Sequence, residues 1–82
     1  MVIAAVVIET VPGAALRVAE RLSRVPDLEL QGEADDRRLA AVWTAPTSEA
    51  LEAAAAALLE ADDEVLGIHP TFVARDDEVV AQ

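Results

Sequence analysis

Few side chains in this 82-residue chain are of a kind that does chemistry, and their spacing brings little of it together. His69 is the only histidine, and cysteine is absent. A metal ligand set or a nucleophile–base pair therefore lacks its second member. The acid pairs Asp35-Asp36, Asp62-Asp63 and Asp76-Asp77 do not match a calcium loop, which needs a glycine at its sixth position and a closing glutamate. Gly13, Gly32 and Gly67 are the only glycines and form no phosphate-cradling loop. No catalytic residue, no metal site and no cofactor is expected, which leaves a binding domain without chemistry of its own. His69 is expected as a solvated strand residue or a partner contact.

Length and charge narrow the partners. A chain this short forms one domain with a thin core, burying only about 60% of its unfolded surface. Sixteen acids face six arginines, for a net charge of −10. Nucleic acids bind through phosphate contacts, so such a chain is not expected to bind them. It should attract cationic partners, unless the acidity serves only to keep the protein dispersed. Met1-Val2-Ile3-Ala4 has no basic residues ahead of its apolar run, which argues against a secretory signal. The longest apolar run, Ala53 to Leu59, is far short of the about 20 residues of a bilayer span. A cytoplasmic location without membrane insertion is the expectation.

The elements follow from periodicity and breakers. Val2 to Glu9 is β-branched and apolar and predicts a strand. Thr10 is placed to cap a first helix with Pro12 in its first turn, whose apolar stripe Ala15, Val18, Ala19 and Leu22 runs to about Arg24. Pro26-Asp27 is a turn. Leu28 to Glu33 alternates as a strand, Ala34-Asp35-Asp36-Arg37 is a tight hairpin, and Leu39 to Thr44 returns. Thr47 or Ser48 caps a second helix with stripe Leu51, Ala54, Ala55 and Leu58. Val65 to Val73 is the last strand, and residues 75–82 are a charged, flexible tail beyond a domain spanning 1–74. The order βαββαβ predicts an α+β, ferredoxin-like split-βαβ fold: a four-stranded antiparallel sheet in order 4-1-3-2 with both helices on one face. Pro70 then fits an edge strand, where a missing N–H is tolerated.

One sheet face stays open, and parity assigns its residues. A two-residue turn pairs Leu30 with Ala41 and Leu28 with Trp43, placing Leu39, Ala41 and Trp43 under the helices. A three-residue turn would instead put Trp43 outside. Ala4, Val6 and Ile8, with Ile68, Pro70 and Phe72, are expected inward; Gly67, His69, Thr71 and Val73 are expected outward. The open face then carries Ile3, Ala5, Val7 and Glu9, Ala40, Val42 and Thr44, with Glu29, Gln31 and His69 toward its edges. An apolar stripe with a polar rim marks a partner surface, although β-branched residues are also simply good strand formers. The RNA-binding use of such a fold stacks bases on sheet aromatics beside basic residues, and this chain has two aromatics and the wrong charge. An acylphosphatase-type site would want an asparagine, which is absent.

Four stretches carry a resemblance over nearly the whole chain. "IAAVVIETVP" opens it. "VPDLEL" corresponds to a "pPGvEv" pattern, "RLAAVWTAPTSEAL" to "kLvVvlEaeseeel", and "VLGIHPTFVARDDE" to "VlsaslvYHhfee". In these patterns the chain resembles the NapD family, cytoplasmic chaperones of the catalytic subunit of periplasmic nitrate reductase. It departs from the family at Phe72, where tyrosine is usual, at Val73, where histidine is common, at Pro70, and at Asp27, which replaces a turn glycine.

The resemblance implies binding of the twin-arginine signal peptide of the reductase precursor, in helical form against the sheet. It also implies retention of the precursor in the cytoplasm while its molybdenum cofactor is inserted. On that basis the expected contacts are Ile3, Ala5, Val7, Ala40 and Val42 for the apolar stretch, with Glu9 and Glu29 for the arginines. Gln31, Thr44 and His69 are expected at the rim, and Glu9, Glu29, Thr44 and His69 are expected at one end of the face. The chain is expected to be a monomer or weak homodimer. The alternative is a small-molecule-sensing or dimerising regulatory domain of the ACT or Lrp-effector kind, against which a monomeric state would count.

Overall fold

The computed structural model describes residues 1–75. The elements are β1 (Val2–Thr10), α1 (Ala15–Leu22), β2 (Leu28–Asp35), β3 (Arg38–Ala45), α2 (Ser48–Ala61) and β4 (Val65–Arg75). They form one antiparallel sheet in the order β2-β3-β1-β4 with two helices, an α+β ferredoxin-like arrangement. The tail expected over 75–82 lies outside the described residues except for Arg75, which closes β4 opposite Val2.

The strand alternation produces the core. Val2, Ala4, Val6, Ile8 and Thr10 of β1 are buried, as are Leu39, Ala41, Trp43 and Ala45 of β3. Cα partners across antiparallel strands share a face, so Ile8 opposite Leu39 and Ala4 opposite Trp43 build one layer. Ala15, Val18 and Leu22 of α1 are buried against it. Leu51, Ala54, Ala55 and Leu58 of α2 pack on the same core, yet no residue of α2 is fully buried. Alanines on a helix are too short to close the space above a sheet, and two apolar clefts remain along α2. One, about 470 Å³, is bounded by Val25, Trp43 and Leu58, and the other, about 320 Å³, by Val6, Trp43, Leu51 and Ile68.

The hairpin reaches the expected register by a different route. Leu28 faces Trp43 and Leu30 faces Ala41, as parity predicts, and Trp43 is buried. The turn, however, is Asp36-Arg37 between Asp35 and Arg38, and register shifts near Gly32 and between Glu33 and Asp35 absorb two residues of β2. Gly32, with φ of 145°, takes a conformation that side-chain-bearing residues rarely adopt. Asp35 accepts from the Arg37 amide at 3.0 Å and from the Arg38 guanidinium at 2.6 Å, which fixes the turn.

Thr10 does not cap α1. It is a fully buried member of β1, its amide donating to the Arg37 carbonyl at 2.8 Å. Ala14 occupies the cap position with no side-chain bond. The Asp36 carbonyl accepts instead from the amides of Gly13 and Ala15, at 3.1 and 3.2 Å, so the hairpin turn serves as the cap. At α2 the expectation holds: Thr47 Oγ1 accepts from the Ala50 amide at 3.0 Å. A charged latch joins α1 to the turn before β4. Arg17 bonds Glu64 at 2.7 Å, and Arg21 bonds Asp62 at 2.8 Å and Glu64 at 2.9 Å.

Candidate functional site

Among the described residues nothing covers the face opposite the helices, and the register lays its residues out in rows across the strands. Ile3 lies between Thr44 on β3 and Ala74 on β4. The next row runs Glu29, Val42, Ala5, Phe72, and the next Gly32, Ala40, Val7, His69. The last runs Asp35, Arg38, Glu9, Gly67. The structure thus brings Ile3, Ala5, Val7, Ala40 and Val42 into one apolar strip. Ile3 is 43% exposed, and the other four are half-buried by their neighbours alone.

The polar rim is not the single cluster expected. β1 and β3 are antiparallel, so Thr44 lies beside Ile3, at the opposite end from Glu9. Glu29 is level with Ala5, four residues and two strands away from Glu9. At about 3.3 Å per residue and 4.8 Å per strand, that separates the two acids by about 16 Å. Glu9 and His69 do share an end: Nε2 of His69 lies 3.6 Å from Oε1 of Glu9. The imidazole leans over Gly67, where a Cβ would come within 2.8 Å of Nε2. Arg38 is opposite Glu9, and its guanidinium is held protonated by Asp35 first and then by the charge of Glu9. Glu29 has no ion pair among the described residues. Gln31 occupies the irregular stretch of β2 without a Cα partner on β3, its Nε2 donating to the Glu29 carbonyl at 3.4 Å.

β4 corrects a second expectation. The pairing shifts between Ala5 and Val6: Ala5 faces Phe72, whereas Val6 faces Pro70. Thr71 is the extra residue, and its hydroxyl donates to the Ala5 carbonyl at 3.1 Å. Beyond this bulge the faces of β4 exchange. Ile68 and Pro70 point to the helix side as expected, opposite Ile8 and Val6. Phe72 instead joins the open face, 65% exposed, while Val73 turns to the helix side opposite Ala4. Alternation alone has no means of showing this. Pro70 was the available sign, since a proline inside a strand goes with bulges as well as with edges.

The carboxylates with lowered titration lie in the latch, off this face, and at the hairpin turn, where Asp35 ends the last row. Hydrogen bonds from Arg17 and Arg21 pull Glu64 down to about 2, and Arg21 lowers Asp62. Arg38 lowers Asp35. Each has an arginine partner that accounts for it, so these shifts mark structural ion pairs. Among the described residues no group of three or more potential metal-ligating side chains occurs, and no helix is long and apolar enough to cross a membrane. The open face can therefore offer apolar contact, a carboxylate at Glu29, and the Glu9–His69–Arg38 group at one end. Comparisons with family models, with curated proteins and with solved structures returned no match.

Proposed function

We propose that this protein is a cytoplasmic chaperone that holds the twin-arginine signal peptide of a periplasmic nitrate reductase precursor on the open face of its sheet. One observation carries the reading: an uncovered apolar strip, Ile3, Ala5, Val7, Ala40 and Val42, on a strongly acidic molecule, with a carboxylate at its edge in Glu29. A twin-arginine leader pairs a basic segment with an apolar one, and both halves find a counterpart there. The resemblance to the NapD family over four stretches supports the same reading. So does Asp27, which stands where the family pattern has glycine and takes φ of 66°, the conformation glycine favours.

The leader's apolar segment covers the strip, and its arginines are drawn to Glu29. Glu9 is the poorer partner because Arg38 and His69 already face it. A leader held this way is hidden from the export machinery while the precursor acquires its cofactor, and the chaperone itself performs no reaction. Chemical-shift mapping with a synthetic leader tests the reading. Shifts should concentrate at Ile3, Ala5, Val7, Ala40 and Val42 and spare the exposed side of α1. Shifts centred on the clefts beside α2, or a stable dimer that ignores the peptide, would favour the small-molecule-sensing alternative.

A further inference from the structure

Phe72 is a large apolar side chain that the fold turns out of its core. A regular β4 would place it under the helices beside Ile68 and Pro70. The Thr71 bulge places it on the open face instead, opposite Ala5 and 65% exposed. Bulges that re-aim one side chain recur beside binding sites, and an exposed aromatic on an apolar strip is the usual anchor of a protein–peptide contact. Phe72 also ends the row Glu29–Val42–Ala5–Phe72. That row holds an acid at one sheet edge, an aromatic at the other, and small apolar residues between. Three strand spacings separate its ends, about 14 Å, the length of about nine helical residues.

We propose that Phe72 is the apolar anchor of the open-face site, and that the bound peptide lies across the strands with its arginines at Glu29 and its apolar segment reaching Phe72. This deepens the signal-peptide reading and rests on it. The other course, along β1, ends at Glu9, opposite which the Arg38 guanidinium, bonded to Asp35 at 2.6 Å, already stands as a competing cation. Across the strands the cationic end meets only Glu29, and the remaining residues of the row are apolar.

Calorimetric titration of the full chain and its variants with a synthetic twin-arginine leader tests the anchor. Phe72→Ala should weaken binding by about tenfold or more, as loss of an aromatic hot spot does, and should leave the thermal midpoint unchanged. Phe72→Tyr should bind as the wild type does, and so should Val73→Ala on the other face. Undiminished binding by Phe72→Ala, with the wild type binding well, overturns the anchor and leaves the signal-peptide reading standing. A large fall in the midpoint of Phe72→Ala would show that the ring is core and also overturns it. No binding by the wild type overturns both. A spin label just ahead of the arginine pair tests the orientation: it should broaden the Glu29 and Val42 amides, and broadening centred on Glu9 and His69 contradicts it.

Discussion

The two aromatic side chains of this chain carry opposite lessons about a residue's place. Trp43 was expected inward from hairpin parity and is 3% exposed. Phe72 was expected inward from strand alternation and is on the open face, because a single extra residue at Thr71 reverses everything after it. Parity survived two register shifts in β2 because two inserted residues restore the face; in the Phe72 stretch of β4 one shift does not. The acids divide in the same way. Glu29→Gln should weaken leader binding by about 0.2–1 kcal/mol, the usual worth of an exposed ion pair. Glu9→Gln should change it by less, since Glu9 already faces Arg38 and His69. Competition isotherms against one labelled leader would separate the two, and an equal loss would contradict the assignment. Asp27 holds a left-handed backbone at φ of 66°, which is costly for a residue with a Cβ. Asp27→Gly should raise stability in urea by about 0.5 kcal/mol, the relief of that strain less the extra entropy of glycine in the unfolded chain.

The elements were largely legible, because each is set by local pattern. β1 and β3 alternate, and the stripe of α1 recurs at helical spacing. Thr47 caps α2 through a local side-chain bond, as a sequence can show. The cap of α1 could not be read locally, because the Asp36 carbonyl that provides it comes from another part of the chain. Thr47→Ala should cost about 1 kcal/mol, and hydrogen exchange should show the loss first in α2, which has no fully buried residue. The latch gives α1 and the α2–β4 turn a pH dependence. Glu64 titrates at about 2 in the folded protein against 4.5 ordinarily, so it contributes stability above pH 4.5 that is lost as the pH falls toward 2. Asp62 is lowered as well and acts in the same direction. Urea midpoints measured from pH 6 to pH 2.5 should therefore fall, and the Arg21→Gln variant should show a shallower fall than the wild type.

At the scale of the whole molecule, a ferredoxin-like sheet with helices on one side leaves its other side open among the described residues, and a net charge of −10 favours cationic ligands there. The fold class and strand order were readable because six elements in the order βαββαβ admit few right-handed, unknotted arrangements. The chemistry of the open face was readable in part. Its apolar strip follows from β1 and β3 alone, whereas the outward turn of Phe72 and the separation of its acids depend on a bulge and on antiparallel geometry. The central claim is that this face recognises a twin-arginine leader. The most direct test is calorimetric titration of the purified protein with the leader of the nitrate reductase catalytic subunit, beside a variant in which both arginines are lysine. Tight binding that weakens for the lysine pair is predicted, because a guanidinium meets a carboxylate through two hydrogen bonds and an ammonium does not. Absence of binding to both peptides would contradict the account.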